Sequence, residues 1–340
     1  MHQIKLFRVK PYNILCYEAL FRWLKPQYRN NQILLNDYSN YLAGFRGEKS
    51  ADYTVSIYPH NNASIFQGIR LKVGPFHFQT DTLIVTNMFI LILEIKNLAK
   101  EVEYDSDSHQ LTQSDGTKKK GYKSPILQAA TQKLQLTTWL QKHRFPPIPI
   151  ETLSILSNPS TILSFKGDLD VSDKFIHLET LPSILDRMYS RYSQTVINRE
   201  TINKLNRLLL KENTPHKPDL LKQYDISDDF LIDGIGCEHC EHYPMIYKMQ
   251  TWYCSNCGQT EKNAHERKIL DYFLLKSPTI TNKECRNLIK IDSHKIVYRM
   301  LQSMPLKQTG KNSARKYHAP KLPDFPQNSS TPIKKKSVFS

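Results

Sequence analysis

The chain has 340 residues, enough for two or three domains, and its apolar fraction of 39% and charged fraction of 23% are those of a folded protein. These values exclude a disordered or fibrous chain, and no apolar run approaches the roughly 20 residues of a membrane span. The net charge of +15 indicates an anionic partner, most often nucleic acid.

The N-terminal part alternates between helical and strand-like patterns. Its first stretch, MHQIKLFRVKPYN, lacks the apolar segment of a secretory signal, so we expect a soluble cytoplasmic protein without a membrane partner. Apolar spacing predicts a helix within 13–40, and the polar segment 43–53 predicts a loop. Strand-like patterns follow at 52–59, 76–86 and 88–97, with turn residues between them.

The segment FILILEIKNLAK, residues 89–100, opens with five apolar residues and then carries Glu94 and Lys96. The apolar run is typical of a central strand that is covered on both faces. Alternate residues of a strand share a face, so Glu94 and Lys96 point the same way. On this segment alone, the pair is either a buried ion pair or part of a catalytic site.

The next segments complete an α/β pattern. Residues 101–120 are polar and predict a hairpin with an exposed tip that ends in a Lys run. Residues 124–143 predict a helix in which Ser124 is the N-cap and glutamines form one stripe. A strand is predicted within 152–165 and helices within 180–224, so strands and helices together indicate an α/β core.

Four of the six cysteines form two C-x2-C pairs separated by 13 residues: Cys237, Cys240, Cys254 and Cys257. Two such pairs are typical of a tetrahedral Zn²⁺ site with four thiolate ligands. Chance spacing or a redox dithiol are the alternatives that a single pair would leave open. The spacing therefore predicts a small zinc ribbon, in which His239 is exposed and is not a ligand.

Residues 261–340 carry 17 Lys and Arg against 6 Asp and Glu, so most of the net charge lies here. The pattern in 265–317 resembles a winged helix-turn-helix: three short amphipathic helices and then a Gly-containing hairpin. In that arrangement the third helix meets DNA bases and phosphates and the wing meets the backbone. A helical protein-binding domain is the alternative. The predicted DNA-binding residues are Lys295, Arg299, Gln302, Arg315 and Lys316.

Four motifs of the α/β part occur in a characteristic order. They are Gly44-Phe-Arg-Gly-Glu48, Phe78-Gln-Thr-Asp-Thr-Leu-Ile-Val85, Leu93-Glu-Ile-Lys-Asn97 and Pro125-x-x-Gln128. As a set they resemble the nuclease-related domain (NERD), a branch of the PD-(D/E)xK nuclease superfamily, over about residues 40–165.

The resemblance implies a restriction-endonuclease-like α/β core that binds Mg²⁺ or Mn²⁺ at one end of its central strands. By this resemblance, Asp81 and Glu94 would hold the metal and Lys96 would be the catalytic lysine. Glu48 would be an auxiliary acidic residue, and Gln128 would orient water or substrate. Asp81 and the metal would then be the partners that make Glu94 and Lys96 tolerable at the end of a buried strand.

The predicted organisation is an α/β core followed by a helical region, a zinc ribbon and a winged helix-turn-helix. Its segments are a helical region at 1–40, the NERD core at 41–170, a helical extension and linker at 171–235, the zinc ribbon at 236–260, the winged helix at 261–320 and a basic flexible tail at 321–340.

The predicted function is a metal-dependent DNA endonuclease. The alternatives are a DNA-binding regulator with a catalytically silent core and an RNA-directed nuclease. The oligomeric state stays open, with a homodimer among the possibilities.

Overall fold

The computed structural model describes residues 3–329, which form two compact units. Within these residues, the first unit comprises residues 3–8 and 40–215, and the second comprises residues 9–39 and 216–329. Each unit is thus assembled from two separate stretches of the chain. The boundaries predicted from the sequence divide the chain into consecutive segments instead, and they stay a prediction.

The α-helices of the described residues are α1 Tyr12–Trp23, α2 Gln32–Ile57, α3 Pro125–Lys142, α4 Leu181–Arg191, α5 Arg199–Glu212, α6 Leu220–Gln223, α7 Ala264–Leu275, α8 Asn282–Ile289 and α9 His294–Ser303. The strands of the first unit are β1 Gln3–Leu6, β2 Ser64–Val73, β3 Phe76–Val85, β4 Ile90–Lys96, β5 Glu101–Asp105, β6 Gln110–Ser114, β7 Lys119–Tyr122, β8 Ile150–Leu156, β9 Ile162–Lys166 and β10 Phe175–His177. Those of the second unit are β11 Ile246–Lys248, β12 Thr251–Tyr253, β13 Thr260–Glu261, β14 Thr279–Thr281, β15 Gln308–Thr309 and β16 Lys316–His318.

A six-stranded mixed sheet forms the centre of the first unit, in the order β1-β2-β3-β4-β8-β10. Strands β2, β3 and β4 are antiparallel neighbours, whereas β8 is parallel to both β4 and β10. Parallel neighbours need a long crossover connection, and the crossover from β4 to β8 contains α3. This arrangement confirms the predicted α/β class.

Strand β4 is buried on both faces because helices cover both sides of the sheet. Leu91, Leu93 and Ile95 belong to a core cluster with residues of α2 and α4. Ile90 and Ile92 belong to a second cluster with residues of α3 and α5. The alternation places the even-numbered residues of β4 on the face that α3 covers.

Helix α2 corrects two predictions. It continues to Ile57, so the loop predicted over 43–53 and the strand predicted over 52–59 are both wrong. Glycines and charged residues suggested a loop, but burial of Ala51 and Val55 against the sheet stabilises the helix there. The strand that precedes β3 is β2, which the sequence analysis missed.

A second sheet follows the central strand, in the order β7-β6-β5-β9. The predicted hairpin is its β5–β6 pair, which β7 extends on one side and β9 on the other. The strand predicted within 152–165 is in fact two strands, β8 and β9, in different sheets. A turn separates them, in which the Asn158 side chain accepts hydrogen bonds from the backbone and hydroxyl of Ser160.

Most residues of helix α1 are buried in the core of the second unit, and Leu15 and Leu20 are among them. Helix α7 packs on α1, and Phe273 and Leu274 lie in the same cluster. Arg22 of α1 donates hydrogen bonds at 2.9 and 2.6 Å to the carboxylate of Asp271 on α7. The N-terminal helix is therefore an integral part of this unit.

Two small sheets complete the second unit. Strands β11, β12 and β13 form an antiparallel sheet beside the cysteines. The second sheet has the order β14-β16-β15, so the chain from α7 onward runs helix, strand, two helices and two strands. Thr281 and Glu284 form a capping box at the start of α8, and Ser293 caps α9.

Residues 321–329 pack against α1. Phe325 is buried beside Tyr12, and the Ser329 hydroxyl donates a hydrogen bond to Glu18, a buried carboxylate of α1. These residues form the start of the predicted basic tail. The remaining part of that prediction, 330–340 with its Lys run, lies outside the described residues. Among residues 3–329, no helix combines the length and the apolar character that crossing a membrane requires.

Candidate functional site

The last residues of β4 carry the centre of the site. Lys96 Nζ lies 2.6 Å from Glu94 Oε1 and 3.0 Å from Gln128 Oε1. Gln132 Nε2 donates a hydrogen bond of 2.7 Å to the second oxygen, Glu94 Oε2. Both glutamines lie on α3, one turn apart, because α3 covers the face of the sheet to which Glu94 and Lys96 point.

Asp81 reaches the same place from β3. It directly precedes Thr82, whose partner in the antiparallel ladder is Leu93. Its Oδ2 accepts a hydrogen bond of 2.8 Å from the backbone N–H of Ile95. Since Ile95 lies between Glu94 and Lys96 in the chain, this bond holds the Asp81 carboxylate beside them.

Arg8 links three elements at the edge of the site. Its side chain is 5% exposed and forms ion pairs with Glu48 and Asp52, which lie one turn apart on α2. It also donates hydrogen bonds of 2.6 and 3.2 Å to the carbonyl of Asp81 and the hydroxyl of Thr82. Arg8 therefore neutralises part of the local negative charge and ties α2 to β3.

Gly47 allows α2 to approach the end of β4. A Cβ atom at this position would lie 2.5 Å from Asn97 Cβ and from Ser157 Oγ, much closer than atoms can pack. Asn97 in turn donates a hydrogen bond of 2.7 Å to the carbonyl of Ala43. The glycine and the asparagine of the sequence motifs thus fix the helix that carries Glu48.

Burial raises the pKa values of the three acidic residues. For Glu48 burial and then the Asp81 charge raise the pKa to about 8, and for Glu94 the same two causes raise it to about 7. Burial also raises the pKa of Asp81, against the opposing effects of the Ile95 N–H and Lys96. Ionised carboxylates in this place are stabilised by cations, and Arg8 and Lys96 are two of them.

The oxygen donors fit a hard divalent cation. Mg²⁺ is commonly bound by one or two protein carboxylates together with substrate phosphates, and Asp81 and Glu94 offer two carboxylates side by side. In residues 3–329, no group of three acidic or histidine side chains comes together tightly. Glu48 is held by Arg8 instead, which suits an auxiliary position.

The four cysteines of the second unit form one cluster. Their sulfur atoms all lie within 4.8 Å of one another, with Cys237 and Cys257 at 3.7 Å and Cys240 and Cys254 at 3.4 Å. Four sulfurs at about 2.3 Å from a tetrahedral Zn²⁺ would be about 3.8 Å apart, close to these values. The cluster is therefore compatible with a structural zinc ion.

Both cysteine pairs share one backbone conformation. The N–H of Glu241 bonds to the carbonyl of Cys237, and the N–H of Gly258 bonds to the carbonyl of Cys254, each at 2.9 Å. The residue after each pair is left-handed, with φ of 60° for Glu241 and 74° for Gly258. His239 is exposed and is not a member of the cluster.

The predicted DNA-binding residues lie on α9 and the strands that follow it. Lys295 and Arg299 are exposed on α9, one turn apart. Gln302 is exposed too, but its amide donates hydrogen bonds to Gln308 and to the Tyr317 hydroxyl. The Gln302 side chain is thus held against the β15–β16 sheet.

Of the other two predicted residues, Arg315 directly precedes β16 and Lys316 is the first residue of that strand. The Arg315 guanidinium lies 5.4 Å from the ring of Tyr298, an exposed residue of α9. Lys316 is exposed. The structure therefore brings Arg315 next to the helix that carries Lys295 and Arg299.

Sequence reasoning missed Arg8, Asp52 and Gln132. Two of them carried a signal, since Asp52 follows Glu48 and Gln132 follows Gln128 by four residues, the spacing of one helical turn. Arg8 carried none, because it precedes Glu48 by 40 residues and only the fold brings the two together.

The nuclease-related domain (NERD) family model matches residues 43–157. This range begins within α2 and ends just after β8, and it contains Glu48, Asp81, Glu94, Lys96 and Gln128. Arg8 lies outside it. No curated protein matches the chain at a significant level. Residues 43–157 of the chain are therefore similar to the nuclease-related domain family.

Proposed function

We propose that the protein is a metal-dependent endonuclease that hydrolyses DNA phosphodiester bonds in its first unit. The observation that supports this most is the meeting of Asp81, Glu94 and Lys96 where the pairing of β3 with β4 ends. Two carboxylates beside a lysine form a site suited to a divalent cation and a phosphate. The match of the same segment to a nuclease-related family supports the reaction class.

The residues of the site have distinct roles in this proposal. When bound to Asp81 and Glu94, Mg²⁺ or Mn²⁺ supplies Lewis-acid polarisation of the phosphodiester and a water of lowered pKa. Lys96 places a positive charge where negative charge develops on the phosphate. Gln128 orients the Lys96 ammonium, Gln132 orients the Glu94 carboxylate, and Glu48 is an auxiliary acid.

The second unit positions the protein on DNA in the same proposal. The order of helices and strands from α7 to β16 supports a winged helix-turn-helix with α9 as its recognition helix. Lys295, Arg299 and Gln302 would face the bases and phosphates, and Arg315 and Lys316 would face the backbone. A structural zinc ion held by the four cysteines would stabilise the ribbon, and the protein would act in the cytoplasm.

Plasmid nicking tests the proposed reaction. The wild type should cut in Mg²⁺ or Mn²⁺ and not in EDTA. Asp81→Ala and Glu94→Ala should each lower the rate about a hundredfold or more, as lost electrostatic stabilisers do. Lys96→Ala should abolish turnover because its charge acts on the phosphate, whereas calorimetry should still detect metal binding by Asp81 and Glu94.

The matched controls remove a glutamate and a lysine at exposed positions of the same unit. Glu101→Ala on β5 and Lys133→Ala on α3 remove exposed charges and should cut at the wild-type rate. A wild type that never cuts DNA in any divalent metal would contradict the proposal.

One observation favours a second candidate, a DNA-binding regulator with a silent core. Lys96 neutralises Glu94, and Arg8 neutralises Glu48 and Asp52, so much of the site's charge is compensated by the chain itself. A wild type that binds duplex DNA but leaves both DNA and RNA intact would establish this reading. Cleavage of RNA alone would indicate the RNA-directed alternative.

A further inference from the structure

The β6–β7 hairpin of the first unit projects a set of lysines that the proposed site does not use. Lys118, Lys119 and Lys120 lie at the turn and on β7, and Lys123 follows directly after β7. All four are exposed. Strand β7 is the edge strand of the second sheet, bonded to β6 on one side.

The hairpin tip carries one acidic residue beside these lysines, and its carboxylate is engaged by the turn itself. Asp115, the acidic residue of the segment 115–123, accepts hydrogen bonds from the backbone N–H groups of Thr117 and Lys118 at 2.9 and 2.7 Å. Its carboxylate thus stabilises the turn, and its nearest cation is Lys100 at 3.6 Å. Glu101 and Glu103 lie on β5, two strands from β7 and roughly 10 Å away.

The lysines point in different directions around the hairpin. Lys119 pairs with Ser114 and Lys120 pairs with Gln113, so these neighbours lie on opposite faces of the sheet. Lys120 also lies 5.0 Å from the ring of Tyr122, which limits its freedom. Strand β6 is paired with β5 on its other side, so the lysines lie along the edge of a four-stranded sheet. Positive charge on both faces of this edge suits contact with a phosphate backbone.

The hairpin leads directly into the candidate site. Lys123 precedes Ser124, the N-cap of α3, and Gln128 contacts Lys96 just one turn into that helix. Gln128 follows Lys123 by five positions, so even a fully extended chain would place them within about 18 Å, and the helix shortens this distance. That span covers only a few phosphates of a DNA strand.

We propose that the β6–β7 hairpin is a second DNA-binding element, a sheet edge that lies against the phosphate backbone of duplex DNA next to the cleavage site. Lys118, Lys119 and Lys120 contact phosphates of that backbone. The proposal rests on the proposed function and deepens it, since it gives the nuclease unit its own binding surface for a double-stranded substrate. Exposed lysines on an edge strand also prevent edge-to-edge pairing, and the test separates that role from DNA binding.

The experiment measures the salt dependence of DNA binding by the whole chain in EDTA, so that cleavage plays no part. The test variant combines Lys118→Gln, Lys119→Gln and Lys120→Gln. The control combines Lys142→Gln, Lys204→Gln and Lys211→Gln, which remove three exposed charges from other faces of the same unit. The probe is a duplex of arbitrary sequence, with a single strand of equal length as a second probe.

Three lost phosphate contacts should reduce the slope of log affinity against log salt by about 2 to 3 for the duplex. The control should keep the wild-type slope. Equal slopes in both variants, or a reduction confined to the single strand, would overturn the proposal. Because this binding is measured without metal, its outcome is independent of the plasmid-nicking assay. A protein that never cuts in that assay but shows the reduced slope here would refute the nuclease and support the DNA-binding hairpin.

Discussion

At the scale of single residues, the charges of the candidate site depend on a cation that comes from the start of the chain. Arg8 is almost fully buried, and it touches Glu48, Asp52, the Asp81 carbonyl and Thr82. A buried ion pair gains little over an apolar pair, but removing one partner leaves uncompensated charge.

Arg8→Gln should therefore destabilise the protein by about 3–5 kcal/mol in the absence of divalent metal. Two carboxylates of α2 would lose their countercharge, and β3 would lose two hydrogen bonds. Urea unfolding at pH 9, above the pKa of about 8 of Glu48, measures the change. Arg46→Gln on the same helix removes an exposed charge and should change stability by no more than about 0.5 kcal/mol. Equal stability of the two variants would show that Arg8 has no such role.

Residue patterns predicted some of the site residues and not others, for physical reasons. Glu94 and Lys96 stood out because charges rarely follow a buried apolar run without partners. Gln128 and Asp81 entered through the family resemblance. Arg8 could not be predicted, because an arginine after a short strand is ordinary until its distant partners are known.

At the scale of elements, the helix α2 depends on one close contact. A Cβ atom at Gly47 would meet Asn97 and Ser157, whereas a Cβ atom at Gly44, about one turn earlier, would have no neighbour within 4 Å. The two glycines lie in the same helix and differ in their surroundings. Replacing each of them with alanine therefore distinguishes the effect of helix propensity from the effect of packing.

Gly47→Ala should destabilise the first unit by about 1–3 kcal/mol, since the added methyl group would force α2 away from the end of β4. Gly44→Ala should instead stabilise it by about 0.5–1 kcal/mol, because alanine is the better helix former. Thermal unfolding of both variants measures the difference. A Gly47→Ala variant that is as stable as Gly44→Ala would contradict the close contact.

The predicted zinc ribbon is the second element with a clear test. The wild type should contain about one Zn²⁺ per chain, and Cys254→Ser should lose most of it and lower the unfolding temperature by several degrees. Cys285→Ala, a buried cysteine outside the cluster, should keep the zinc. A zinc-free wild type whose unfolding temperature is unaffected by chelators would refute the metal site.

Elements were predictable where local pattern and tertiary packing agree. Strand β4 and helix α3 combine clear periodicity with cap or strand signals, and the structure contains both. In the middle of α2 the local pattern and the tertiary packing disagree. Its glycines and charges favour a loop locally, and the helix there depends on burial against the sheet. Strand β2 was missed because the strand before β3 was predicted at 52–59, where the structure has the end of α2.

At the scale of the whole molecule, each unit is built from two stretches of the chain that are far apart in sequence. Leu20 of α1 is buried in the core of the second unit, and Leu136 of α3 is buried in the first. A core Leu→Ala change typically costs about 2–5 kcal/mol. Its effect should be concentrated in the unit that contains it.

Leu20→Ala should therefore increase hydrogen exchange in α7, more than 240 residues away in sequence, and Leu136→Ala should increase it in β4. Exchange mass spectrometry resolves both elements in one experiment. The opposite pattern, with Leu20→Ala loosening β4 and sparing α7, would contradict the division into units.

Because residues 9–39 belong to a unit that is completed by residues 216–329, vectorial synthesis imposes a delay on folding. At roughly 5–20 residues per second, α1 leaves the ribosome roughly 10–60 seconds before its partners in the core are made. During that time its apolar surface has no native partner, while the first unit can already assemble around its own sheet. The nascent chain is therefore most exposed to aggregation and to chaperone binding at its N-terminal helix.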